Sequence, residues 1–408
     1  MTFPYGLKKA SILEASIQKE LLDDFGAEDF EPFVEPMGVL LDAYQGAGLH
    51  DVGVKILGGG VVHSLRMRLR AQAWIKRHPE ILEEDVSDPI VVVGMMRSGT
   101  TLAQRLLAAD SRLRSVRGWE VLQAAPPLDL DLDDPAPDPR IAAGLERQEL
   151  TQQFAPDLFA IHPMYALEAE EEIVFLADAF LSHVPESGAH VPGYSAWIDT
   201  QDFTPAYDHL HRMLQLLQWQ QRRREAAAGG AANRRRFVLK TPAHLGYLED
   251  LRRRFPGLHL VHLHRDPRAT IPSGASLNTT LHRMHADEVD PRRIGRQWLE
   301  RMGWTNDRAL GVRRSWAASG DSDLVTDVGF SELVADPIAT VGRVHAAVGL
   351  DLDAAAEAAM RAWLERRPRE TGRPDYSAVT YGLSDAAIDE RFAGYRDTHG
   401  QHFVSTDM

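Results

Sequence analysis

Cysteine is absent from the 408-residue chain. Its absence excludes disulfides, thiol nucleophiles, iron–sulfur clusters and cysteine-ligated zinc together. Positive charge is also short: 45 Lys and Arg stand against 59 Asp and Glu, a net charge of −14. A chain this acidic repels a phosphate backbone unless its basic residues cluster, so nucleic acid is not an expected partner. Long apolar runs are missing. Nothing approaches the roughly 18 residues of a membrane-spanning helix. The opening MTFPYGLKKASILEASIQKE holds no apolar stretch of signal-peptide length. The expectation is a soluble, cytoplasmic protein with no transmembrane segment. What remains, 44% hydrophobic and 25% charged, suits an ordinary globular chain.

Residues 1–88 read as a helical N-terminal extension. Apolar residues recur every three or four positions over Leu7–Leu22, Phe33–Tyr44 and Val61–Ile75. The pattern then changes. Ile90-Val91-Val92-Val93 is a short β-branched run, the signature of a strand buried on both faces, and a helix follows from about Thr100 to Ala109. Pro126–Arg140, rich in Pro and Asp, reads as an exposed loop. Helices are expected near Glu168–Ser182 and Pro205–Ala227. A second alternating unit comes next: strand Arg236–Lys240, helix Pro242–Phe255, strand Leu258–His264 and helix Pro267–Leu277. A helix over Arg292–Arg314, a strand over Leu324–Val328 and further helices to about Arg366 complete the pattern. The fold class implied for 89–408 is α/β: a P-loop-like central parallel sheet flanked by helices.

The loop Gly94-Met95-Met96-Arg97-Ser98-Gly99-Thr100-Thr101 joins the first strand to its helix, where unpaired N–H groups and the helix dipole make an anion site. It nearly fits the Walker pattern. Thr100 occupies the place of the lysine that grips the β- and γ-phosphates in nucleotidases, and Arg97 lies inside the loop instead. An ordinary strand-to-helix turn that binds nothing is the bland alternative, which the buried strand before the loop argues against. A second anion site is suggested at Arg265, with Ser273 eight residues on, offering a guanidinium fork and a hydroxyl to one tetrahedral anion. Alone, Arg265-Asp266-Pro267 is no more than a helix start.

Taken together, these motifs resemble the sulfotransferases that use 3′-phosphoadenosine 5′-phosphosulfate (PAPS). Arg97-Ser98-Gly99-Thr100-Thr101-Leu102 resembles their 5′-phosphosulfate loop, of the kind with arginine found in the protein-tyrosine and bacterial branches. Arg265 with Ser273 resembles their 3′-phosphate site. Between them, Phe237-Val238-Leu239-Lys240-Thr241-Pro242-Ala243-His244 resembles the strand-end motif that brings Lys, and often His, to the sulfuryl group. Arg117-Gly118-Trp119-Glu120, Glu170-Glu171-Glu172 and Tyr381-Gly382-Leu383 extend the likeness to the bacterial branch, over about 89–400.

The resemblance implies a sulfuryl group moved in line from PAPS to an acceptor hydroxyl, with release of adenosine 3′,5′-bisphosphate. The region 89–408 would then be the sulfotransferase α/β domain, with helical acceptor-site insertions and a C-terminal helical segment. Arg97, Lys240 and the N–H groups of Gly99, Thr100 and Thr101 would meet the charge that develops on the leaving oxygen. No metal is expected. The base is left between Glu120, favoured by the resemblance, and His244. The acidic triplet Glu170-Glu171-Glu172 reads as the opening of an apolar helix, where acids suit the dipole; the alternative is that one of them, Glu172 first, lines the acceptor site. The basic run after Arg366 reads either as a solvated turn or, through Arg373, as a cap on the 3′-phosphate like the C-terminal basic loop of relatives.

His259, His262 and His264 are expected to be satisfied histidines of a buried strand, since no carboxylate or further His lies at ligand spacing. His282 and His285 are expected on an exposed helix or loop. Aromatic residues of the acceptor loops, among them Trp119, Phe154, Phe159, Tyr165, Tyr194, Trp197 and Phe203, suggest a partly apolar acceptor: a small molecule, or a lipid- or sugar-type alcohol. A kinase with an eroded Walker loop and a catalytically dead nucleotide module are the competing classes. The oligomeric state is not set by anything in the sequence.

Overall fold

The computed structural model describes residues 6–26, 33–367 and 377–403. Five strands form one parallel sheet: β1 (Ile90–Gly94), β2 (Leu113–Arg114), β3 (Arg236–Lys240), β4 (His259–His264) and β5 (Val325–Gly329), in the order β2-β3-β1-β4-β5. β1 and β4 are buried at every position because helices cover both faces; β1 is accordingly an apolar run, while β4 carries three buried histidines among its apolar residues. Register places Val92 beside Lys240 and Gly94 beside Leu263, so β1, β3 and β4 finish together at one edge. The connections after β1 and β3 leave in opposite directions, the topology that opens a crevice at the strand ends.

The helices Lys9–Glu20, Val34–Gln45 and Asp51–Arg77 precede the sheet. Glu20 holds the long helix through Arg70 at 2.6 Å and through Arg66. These helices do not form a core of their own. One apolar cluster runs from Ile12, Met37 and Leu65 through Val91, Val93, Leu239 and Leu260 to Trp316, so the extension shares the core of the α/β region.

Several expectations change in detail. The helix anticipated over Glu168–Ser182 is confined to Ile173–Asp178, because the acidic residues before it are drawn to the end of β3. The helix expected over Pro242–Phe255 is a 3₁₀ turn, Pro242–Tyr247, followed by the helix Leu248–Arg254. β2, two residues long, gave no sequence signal. His282 and His285 are buried rather than exposed. The helix Asp51–Arg77 packs so closely there that a Cβ on Gly53 would lie 2.0 Å from the His285 carbonyl oxygen.

Leu65 is fully buried in the shared cluster. Leu65→Ala is expected to lower stability by about 2–5 kcal/mol and to shift one cooperative transition in chemical denaturation followed by circular dichroism. A second, separate transition would show that the N-terminal helices fold independently.

Candidate active site

The loop after β1 is held in a conformation few sequences tolerate. Gly94 and Gly99 have φ of 151° and 95°, and Arg97, though not glycine, has φ of 71°. A Cβ on Gly94 would meet the Leu263 carbonyl oxygen at 2.6 Å and Ser98 Oγ at 2.7 Å. The turn is tied internally by Ser98 Oγ, which donates to the Met95 carbonyl at 2.6 Å. Gly99 then caps the helix Thr100–Ala108, whose first N–H groups have no acceptor within the helix. Alternating left- and right-handed residues before a helix N-terminus make an anion cradle.

Arg265 is the residue after β4. Its Nη1 donates to the Arg97 carbonyl at 2.7 Å, and its guanidinium lies 3.9 Å over the ring of Phe330, the residue after β5. Phe330 also closes on Gly99, where a Cβ would come within 3.0 Å of the ring. The two expected anion sites are thus joined by direct contact. Ser273 is buried two turns along the helix Pro267–Arg283. Arg97 Nη1 reaches the Ile161 carbonyl at 3.4 Å. Thr100 is buried and Thr101 exposed. Arg373 lies outside the described residues.

Lys240 ends β3 and is 2% exposed. Its Nζ donates to Glu171 Oε1 at 2.5 Å, while its backbone N–H donates to Glu172 Oε2 at 3.0 Å. Glu172 also binds His244 Nε2 at 2.8 Å, and His244 Nδ1 meets the Tyr207 hydroxyl at 3.0 Å. Both Glu172 and His244 are fully buried. Each is spent on holding its neighbours, and neither lines the two cavities described below. Glu120 is also engaged. Arg114 donates to it at 2.6 Å and the Arg117 backbone N–H at 2.9 Å. It lines a polar cavity of about 430 Å³ with Arg105, Arg114, Arg117 and Arg140, which shares no residue with the anion loop, Lys240 or Arg265.

A second cavity, of about 280 Å³, opens beside the loop and is mainly apolar. Met96, Leu158, Met164, Ile173, Tyr247, Leu277, Trp298 and Met302 line it, together with His162 and Glu171. Glu171 is therefore the carboxylate that faces both Lys240 and an apolar space. Burial raises its pKa, but Lys240, His162 and hydrogen bonds outweigh this and hold it below the usual carboxylate range. The sequence pattern pointed to Glu172 within the triplet. In the structure Glu171 lines this cavity and Glu172 does not, because the Glu172 carboxylate is taken up by the Lys240 backbone and His244. The aromatics expected around an acceptor do not line this space. Their neighbours Leu158, His162 and Met164 do, whereas Tyr194 and Phe203 are core residues.

Three groups among the described residues bring potential metal-ligand atoms within 4.8 Å: His162–Glu170–Glu171, His262–His264–His399 and His264–Asp327–His402. The strand histidines therefore do have further His and carboxylate neighbours, supplied by distant segments. His262 is nonetheless no ligand as it stands. Arg313 donates to its Nδ1 at 3.0 Å, and an arginine can only donate, so a neutral His262 carries its proton on Nε2. That Nε2, like His399 Nε2, has no hydrogen-bond partner, so these histidines are buried but not fully satisfied. His264 is engaged on both sides, by Asp327 at 2.7 Å and by the Tyr395 hydroxyl at 3.0 Å.

The sulfotransferase family model matches residues 89–354. The chain belongs to the sulfotransferase family. Among curated relatives, omega-hydroxy-beta-dihydromenaquinone-9 sulfotransferase Stf3 of Mycobacterium bovis, and that of Mycobacterium tuberculosis, are each 27% identical over 216 residues. That match covers 50% of this chain and 49% of each relative, about half its length. The crystal structure of sulfotransferase STF1 from M. tuberculosis H37Rv superposes with a TM-score of 0.80 at 30% identity, covering 94% of this chain and 98% of that one. STF9 from Mycobacterium avium gives a TM-score of 0.83 at 24% identity, with 98% of each chain covered, a likeness of fold. In this sulfotransferase-family chain no described helix is long and apolar enough to cross a membrane.

Burial lowers the pKa of His259 and of His282 to about 4 and that of His399 to about 3. Unfolded histidines titrate near 6.5, so below that pH the unfolded chain takes up protons that the folded chain refuses. Stability is expected to be full above pH 6.5 and to fall toward pH 4, by at most about 1.4 kcal/mol per pH unit per histidine. Urea midpoints across this range test the sign, and His399→Gln should flatten the slope.

Proposed function

We propose that this protein transfers a sulfuryl group from PAPS to the hydroxyl of a largely apolar acceptor. The observation that carries the reading is the convergence at one sheet edge of the anion loop, Arg265 and Lys240, beside an apolar cavity that admits a carboxylate. The residues fit the donor. Arg97 and the first N–H groups of the helix Thr100–Ala108 would receive its 5′-phosphosulfate, and Arg265, supported by Phe330 and with Ser273 nearby, its 3′-phosphate. Lys240 supplies positive charge where the bridging oxygen takes up electrons. The acceptor oxygen attacks sulfur from the apolar side, and the bond to the bridging oxygen breaks.

Glu171 is the proposed base for the acceptor proton, in place of Glu120 and His244. Glu171 lines the cavity, whereas Glu120 serves a separate polar pocket and His244 is sealed between Glu172 and Tyr207. The Stf3 relatives are named for a hydroxylated menaquinone. An elongated apolar alcohol suits the lining here as well, since Leu158, Met164, Leu277, Trp298 and Met302 offer hydrophobic contact and few hydrogen bonds.

Adenosine 3′,5′-bisphosphate is expected to bind by calorimetry without metal, and Arg265→Ala to weaken that binding about 10- to 100-fold. Preference for ATP with Mg²⁺ would instead favour a kinase. Once an acceptor is found, Glu171→Gln is expected to lower kcat about 10²- to 10⁴-fold, while Glu120→Gln lowers it far less. The reverse order would return the base to Glu120.

A further inference from the structure

We infer that Lys240 is shared between the donor and Glu171, so that the base is masked until the donor occupies the anion loop. This deepens the reading above and rests on it. The geometry is the short ion pair of Lys240 Nζ with Glu171 Oε1, 2.5 Å long, on a lysine 2% exposed. A buried ammonium has no bulk water to share. Its three N–H donors can reach the bridging oxygen of the donor as well as Glu171, but its single charge is then divided between two anions, which weakens its hold on the carboxylate.

The surroundings make the exchange one-sided. Glu172, the other acid at the end of β3, is committed to the Lys240 backbone and to His244, so it does not replace Glu171 as the lysine's partner. From the remaining elements His162, Glu170 and Thr241 face Glu171. One Glu170 oxygen is buried with no hydrogen-bond partner, and Arg97 is anchored at the Ile161 carbonyl beside them. When Lys240 turns to the donor, Glu171 keeps only a share of its strongest cationic neighbour and gains an anionic one. Burial then dominates, and the carboxylate becomes a better base at the moment a sulfuryl group is present to receive the acceptor oxygen. Glu171 takes the hydroxyl proton as the oxygen–sulfur bond forms. The electron pair of the broken sulfur–oxygen bond goes to the leaving 5′-phosphate, where Lys240 now sits. Without donor the acceptor meets a neutralised Glu171.

The test is calorimetric titration with adenosine 3′,5′-bisphosphate at pH 6 in two buffers of different ionisation enthalpy, for the wild type and for Glu171→Gln. The ligand's own phosphates, with a second pKa of about 6, lose protons on meeting cations in both proteins, so the difference between the two isolates Glu171. The wild type is expected to take up a fraction of a proton more than the variant. The variant should bind several-fold more tightly, because its lysine has no carboxylate to leave. Equal proton stoichiometry in the two proteins overturns the inference. So does a structure of the wild-type complex in which Lys240 still holds Glu171 and does not contact the 5′-phosphate, a measurement that needs no variant to fold. Failure of the bisphosphate to bind removes the donor reading itself.

Discussion

One buried carboxylate, Glu172, holds the site in register. Its two oxygens receive the Lys240 backbone N–H and the His244 ring, and so tie the end of β3 to the segment that precedes the helix Ile173–Asp178. Removing one partner of a buried charged contact costs roughly 3–5 kcal/mol, because the other is left unpaired. The same contact sets the position of the next residue back. With Glu172 fixed on the strand, Glu171 has its side chain beside the Lys240 ammonium and the apolar cavity. An unbroken helix from residue 168 would have turned it elsewhere.

Around that contact the sheet does what parallel topology allows. β1, β3 and β4 end on one edge, and each contributes its next residues to the crevice. The anion loop, Lys240 and Arg265 come from segments far apart in the chain but adjacent in the sheet. The loop's unusual backbone is held from outside as well as within. Arg265 donates to the carbonyl of Arg97, the non-glycine residue in a left-handed conformation, and Phe330 packs against Gly99. Strain of this kind persists where neighbours over-determine it.

The parts legible in the sequence were those with local causes. A buried β-branched run, glycines at fixed spacing and a following amphipathic helix are enough to place the loop after β1. Two further strands, one ending at Lys240 and one just before Arg265, follow from the same periodicity, and a shared edge follows from parallel pairing. The choice within Glu170-Glu171-Glu172 was not legible, since three consecutive acids before an apolar run look alike until β3 claims one. Glu120 occupied a plausible place at a helix start, but Arg114, six residues earlier, takes its carboxylate. Phe330 carried no local signal; its position just past β5 becomes informative only once the strand order is known. The neighbours of His262 and His264, namely Asp327, His399 and His402, come from the far end of the chain, where spacing rules have no reach.

The contact between Arg265 and the Arg97 carbonyl has a consequence for selectivity. If the loop and Arg265 each hold a phosphate as proposed, this contact ties the two grips together and sets their separation. A ligand whose two phosphates match that separation gains the second contact as an intramolecular event, at an effective concentration far above that of free phosphate. A mononucleotide with a single phosphate forfeits this advantage whatever its base. Discrimination among nucleotides would then come from the distance between charges, a ruler rather than a reading head, with little need for hydrogen bonds to the ring.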